Sequence, residues 1–319
     1  MDTTKTHKKS LSIEHRIKTL ENRNLIINDN KMLNDFIDKR TTYYHLTGYR
    51  FLLENYDRAT DNYNNHKSSE LIALYELDKE LSILLFKEIR IIEQSLRARI
   101  ANLCHENDRV TFELDEENET TILKENYCEN DNTIKFIAED NFNKNVSKQL
   151  FNDIYKMKED PAIKHHFNDY QKIIPLWVTI NYISFGTLIK LIECFAVKKL
   201  NEFMNGKNYK KPISVFDPTR VYLKSIQMLR NKISHHSNIL GKKSPFHIRG
   251  HSYSIYFIGY YGISAWASFL LNESDISNRL KNEIDIVIKK INSLYGTQFT
   301  FSIFIPNFKH KLEIKGNQN

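Results

Sequence analysis

The chain has 319 residues, 41% of them apolar and 12% aromatic, which is enough to bury a sizeable core and argues against a disordered chain. Three cysteines, Cys104, Cys128 and Cys194, stand far apart without Cys-x-x-Cys spacing, which argues against a disulfide framework and a thiolate zinc site and fits a reducing cytoplasm. The net charge of +7 is local: Lys207 to Arg249 hold ten Lys or Arg against the single acid Asp217, so a polyanion such as a phosphate backbone is the expected partner, with a solvated basic face as the plain alternative.

In chain order, residues 1–10 are polar and basic and form a loose tail rather than a secretory signal. Ile13 to Phe36 mixes apolar and charged residues as one or two short helices would, and an aromatic segment follows from Tyr43 to Tyr49. From Ser68 to His105 no breaker occurs, and Leu74, Leu77, Leu81, Leu84, Leu85, Ile92, Leu96 and Ile100 recur at helical spacing, which predicts a long core helix capped by Ser68 or Ser69. Only nine Gly and six Pro occur in the chain, with none of either between Gly48 and Pro161, so the turn punctuation that β folds need is missing there.

Residues 106–145 are acidic and Asn-rich and read as an irregular excursion with short helical or extended pieces. Helical pattern resumes from Val146 to Met157, breaks at Asp160-Pro161, and returns near His165 to Tyr170. Pro175 opens an apolar segment through Gly186 that continues helically to Phe195, with Trp177 expected in the core. Asp217-Pro218 pairs an acid at the N-cap with proline at the first helical position, a strong helix start. His251 to Asn272 lacks Asp, Glu, Lys and Arg, but its four Tyr, four Ser and two Gly point to a buried or interfacial helix and not to stable membrane insertion. The fold expectation is all-α. It divides into an N-terminal helical arm (1–40), a helical domain (41–294) that includes the acidic insertion (106–145), and a C-terminal tail (295–319).

Met228 to His236 carries the most specific signal. Asn231 and His235 are four apart and share a helix face, and Arg230 can swing its guanidinium toward them. Imidazole moves a proton near neutral pH, guanidinium holds a phosphate bidentately, and an amide orients either, so the three suit phosphodiester cleavage. By themselves the residues favour a plainer reading, cations placed against the dipole of a helix C-terminus. His165, His166, His247 and His251 lack acidic or cysteine neighbours at ligand spacing, so no metal and no cofactor is expected. Phosphate-loop and nucleophile-elbow motifs are missing.

The order Arg230, Asn231, three residues, His235 resembles the HEPN ribonuclease motif. Three further segments resemble the Abi-like (abortive infection) family: Tyr43-Tyr44-x-Leu46-x-Gly48-Tyr49, Pro175-x-Trp177-Val178 and Ser184-Phe185-Gly186-Thr187-Leu188. The resemblance runs from about Tyr43 to Leu294. It implies a HEPN-like helical bundle with additional N-terminal helices, a role in phage defence, and metal-independent endoribonuclease chemistry on RNA. It also implies association with a structured noncoding RNA in some members, and a homodimer in which two motifs meet. His236 directly follows His235, so the motif can also be counted to it; Ser234 and the four-residue spacing select His235. Lys210, Lys211, Lys224, Lys232, Lys242, Lys243 and Arg249 are the expected RNA contacts. The alternative is a HEPN-type RNA-binding module with little or no catalysis.

Overall fold

A computed structural model describes residues 11–104, 108–128, 135–211, 213–214, 217–248 and 251–300. Ser12 and Asp29 cap α1 (Ile13–Glu21) and α2 (Asn30–Lys39) through their side-chain oxygens, and Thr42 caps α3 (Tyr43–Thr47). The long helix expected from the apolar spacing is α4 (Ser68–Leu103). Seven of the eight apolar residues that define its spacing are fully buried and Leu84 is half-buried, each full burial contributing about 1.5–3 kcal/mol. Its N-terminus is not capped by a serine hydroxyl. Asn28 accepts from the Ser69 amide at 3.2 Å and Glu70 accepts from the Lys67 amide at 2.9 Å, while the Ser68 hydroxyl donates to Asn28.

The all-α expectation is corrected by five strands among the described residues. The acidic stretch folds as β1 (Asp108–Asp115) and β2 (Thr120–Cys128), an antiparallel pair with a register shift at Thr111/Phe112. Val110, Phe112 and Leu114 are buried on alternate positions of β1, a period of two that the surrounding charges obscure in the sequence. The turn needs no glycine: the Asp115 carboxylate accepts from the Asn118 amide at 3.1 Å, and Glu119 takes φ +51°. After α5 (Lys144–Tyr155) and α6 (Pro161–Asp169), β3 (Ile173–Pro175) adds to β1, giving the order β2-β1-β3. The sheet is tied to α5, where the Ser147 hydroxyl donates to Thr121 O at 2.7 Å. A second pair, β4 (Lys243–Ile248) and β5 (His251–Ser254), lies in the C-terminal part of the chain, so the fold is predominantly helical but mixed.

Pro175 hands β3 directly to α7 (Leu176–Tyr182), and a break at Ile183-Ser184 starts α8 (Phe185–Glu193), followed by α9 (Val197–Phe203). Val178 is buried, but Trp177 is 56% exposed, so the indole is not core as expected from its apolar neighbours. Arg97 of α4 fixes the C-terminus of α7: its guanidinium donates to the carbonyls of Ile180 and Ile183 and pairs with Glu93 at 2.6 Å. Asp217 caps α10 (Pro218–Ser234) by accepting from the Thr219 amide at 2.8 Å.

The apolar segment from Ile255 forms α11 (Ile255–Leu271), which packs on α10. A Cβ on Gly262 would lie 3.2 Å from the Tyr222 carbonyl, so glycine is what allows the two backbones to approach. Among the described residues no helix is long and apolar enough to cross a membrane. The last helix, α12 (Ile276–Tyr295), lies along α4, where Arg279 holds the buried Glu88 with two bonds of 3.0 and 3.1 Å. A single apolar cluster runs from Ile17 to Ile291 through the helical body.

Candidate functional site

Arg230, Asn231 and His235 lie at the C-terminal end of α10, which is anchored by the burial of Leu223, Ile226 and Leu229 in the core. Asn231, Ser234, His235 and His236 are exposed, and Arg230 is half-buried. The Arg230 guanidinium donates to the side-chain carbonyl oxygen of Asn231 at 3.5 Å, the outer limit of a hydrogen bond.

The two adjacent histidines are separated by the way the helix ends. His235 is the C-cap and keeps near-helical geometry, whereas His236 adopts φ +51°. Ser237 N donates to Lys232 O at 2.9 Å and His236 N to Ile233 O at 3.0 Å, the paired bonds of a Schellman ending with histidine where glycine usually stands. The reversal directs the two imidazoles to different surfaces. His235 shares a shallow depression with Asn231, Gln227 and Lys232, while His236 lines a deeper hollow with His45 and Tyr75.

The chain leaving the motif is pinned to α3 and α4. Asn238 donates to the His45 carbonyl at 3.0 Å, and it lies so close to Gly48 that a Cβ there would come within 2.6 Å of its amide nitrogen. Buried Asp78 of α4 accepts from the Tyr49 hydroxyl at 2.7 Å, from Ile239 N at 2.9 Å and, more weakly, from Leu240 N at 3.5 Å. Burial pushes the Asp78 carboxyl up to about 6 even though those three donors pull it down. Burial likewise lowers the His45 imidazole, and the neighbouring His236 adds to that. The aromatic segment that begins at Tyr43 therefore serves to seat the residues following the motif.

Arg230 opens onto a third depression, of about 660 Å³, with Arg90, Gln94 and Arg97 of α4 and Asn181 of α7. The structure thus brings Asn231 and His235 onto one surface and leaves Arg230 at its border, turned toward α4. Arg90 and Gln94 are not found by sequence reasoning. Phe86, Arg90, Gln94 and Arg97 do fall on one stripe of a helix, but only the fold shows that this stripe faces α10. Arg99, by contrast, is committed to the fold: it donates to Phe203 O at 2.7 Å and lies over the Phe269 ring.

Of the expected RNA contacts, Lys210, Lys211, Lys242 and Lys243 are exposed and Lys232 is half-buried. Lys224 is turned to Glu193 at 3.5 Å with its side chain 12% exposed, and burial lowers its ammonium against the pull of that carboxylate. Glu193 also holds Arg220 at 3.1 Å. Arg249 lies outside the described residues. Contrary to the sequence reading, His165 does have an acidic neighbour, pairing with Asp169 at 2.6 Å one helical turn on, but among the described residues no group of three His, Cys, Asp or Glu is placed to hold a metal ion.

A family model described as Abi-like protein matches residues 38–240, a span that begins at the end of α2, contains the three-stranded sheet, and closes on Leu240 beside Asp78. Comparison with curated proteins and with solved structures returns no match.

Proposed function

The chain belongs to the Abi-like protein family, and on that premise we propose that it defends against phage as a metal-independent endoribonuclease of the HEPN type acting on cytoplasmic RNA. The family points to abortive infection; the chemistry is read from α10. The observation that carries it is the exposed pair Asn231 and His235 on one surface, with Arg230 in contact with Asn231.

In this reaction His235 takes the proton of a ribose 2′-hydroxyl, or gives one to the leaving 5′-oxygen. The 2′-oxygen attacks phosphorus, the bond to the 5′-oxygen breaks, and a 2′,3′-cyclic phosphate and a free 5′-hydroxyl result. Arg230 stabilises the charge that builds on the phosphoryl oxygens, and Asn231 orients it. One exposed imidazole supplies one proton-transfer group, so two copies meeting at the ends of their α10 helices would supply both the acid and the base. The surface is open and shallow in the single chain, which suits completion by a second copy.

Cleavage of RNA by the full chain, lost in Arg230→Ala, is the direct test. The second reading, an RNA-binding module that holds a structured noncoding RNA, is favoured by the placement of Arg230 and His235 on different depressions. Binding by wild type without cleavage would select it.

Two further outcomes are expected. EDTA should leave cleavage unchanged, because the mechanism uses only imidazole and guanidinium; activity that disappears in EDTA and returns with a divalent ion would defeat it. Replacing Lys210, Lys211, Lys242 and Lys243 by Gln should weaken RNA binding and flatten its salt dependence, by about 0.7 of slope for each phosphate no longer neutralised. An unchanged slope across salt concentrations would make these lysines a solvated surface only.

A further inference from the structure

Phe86 of α4 separates two hollows of opposite chemistry. On one side lies the depression of Arg230 and Arg90; on the other, a hollow of about 300 Å³ walled by His45, Tyr49 and Tyr75 and rimmed by His236 and Ser237. The three rings pack on one another at one end of this box-like hollow, with Tyr49 buried as its floor and the half-buried His45 and Tyr75 beside it. His45 and Tyr49 are stacked at 6.1 Å, and Tyr75 stands edge-on to His45 at 5.5 Å. Asp78, also lining the hollow, keeps one buried oxygen, Oδ1, without a hydrogen-bond partner. An aromatic-walled space with one or two polar groups is the usual form of a site for a flat small molecule.

We infer that these paired hollows form a nucleotide subsite, in which an unpaired RNA base enters the box of His45, Tyr49 and Tyr75 and its adjoining phosphate lies against Arg90 and Arg230. The inference rests on the ribonuclease reading, to which it adds where the strand runs. Three observations point to this occupant. Single-stranded RNA is gripped by stacking its bases on aromatic side chains, and by cations that follow its phosphates, and the two hollows offer one of each. Arg97 is tied to Glu93 and two carbonyls, which leaves Arg90, exposed on α4, as the cation available beside Arg230 in that depression. The rim of the box is the turn at His236 and Ser237, and Ser237 also lines the depression of His235, so the box adjoins the surface that carries the proton-transfer group.

The test uses the full chain carrying His235→Ala, which keeps RNA intact, and a single-stranded oligoribonucleotide containing 2-aminopurine. Binding should change the fluorescence of the probe base. Ser82→Trp, which fills the box from the half-buried face of α4, and Phe86→Ala, which removes the partition, should each weaken binding by roughly 5- to 150-fold and abolish that change. Arg90→Gln should lower the salt slope by about 0.7 while keeping the fluorescence change. Circular dichroism shows whether each variant is folded, and Arg90→Gln, at an exposed position, keeps the test open if a box variant is not. If wild type cleaves RNA but folded Ser82→Trp, Phe86→Ala and Arg90→Gln bind the probe as their parent does, the subsite is wrong and the ribonuclease reading stands. If the wild-type chain neither cleaves nor binds RNA, that reading falls and the subsite falls with it.

Discussion

His235→Ala is expected to lower RNA cleavage by about 10²- to 10⁴-fold, the usual contribution of a positioned acid or base, and to relieve toxicity in cells. The fold should be unaffected, because the side chain is exposed at a helix end. The matching control is His236→Gly and not His236→Ala. His236 occupies a left-handed position at φ +51°, where alanine retains the Cβ penalty and glycine removes it. His236→Gly, which removes only a rim residue of the box, should therefore cost cleavage far less than His235→Ala and slightly raise thermal stability. Cleavage that survives loss of His235 and disappears in His236→Gly would transfer the proton-transfer role to the second histidine and to the surface it lines.

Asp78→Ala is expected to destabilise the fold by about 2–5 kcal/mol, because it leaves the Tyr49 hydroxyl and the amides of Ile239 and Leu240 buried without an acceptor. The deficit should depend on pH with a definite sign. The Asp78 carboxyl is raised from an ordinary 3.8 to about 6 in the folded chain, so the stability it contributes is fully present below about pH 3.8 and is lost as pH rises through 6. Alanine cannot titrate. The gap between wild type and Asp78→Ala should accordingly be larger near pH 4 than near pH 8, by up to roughly 3 kcal/mol. Denaturant midpoints measured across that range would show it. A gap that stays constant would mean that the buried carboxyl titrates normally, and one that narrows toward low pH would mean that folding lowers the carboxyl instead of raising it.

The helices are readable in the sequence because their signals are local. Asp160-Pro161 and Asp217-Pro218 cap helices through their own side chains, and the leucine and isoleucine spacing of α4 meets no breaker through its 36 residues. The sheet is hidden for reasons equally physical. Its turn uses Asn118 and Glu119 in place of glycine, its third strand is three residues long, and the inward Val110, Phe112 and Leu114 alternate with charged and polar residues in a stretch dominated by acids. The spacing of Arg230, Asn231 and His235 is likewise visible. The divergence of the two histidines is not, since it depends on the sign of one φ angle. Nor can Arg90 be paired with Arg230 from the sequence, because the chain between them must fold before α4 and α10 meet.

Kinship and physical self-sufficiency have different boundaries in this chain. The stretch shared with the family closes at Leu240, yet α11 and α12 lie after it and cover α4. A polypeptide cut at Leu240 would leave the buried Glu88 carboxylate without its Arg279 counter-ion and would bare the apolar flank that α11 and α12 now shield from water. Excising the shared stretch for transplantation into another protein would thus yield an aggregating fragment, and the smallest portable unit must extend to the end of α12 at Tyr295.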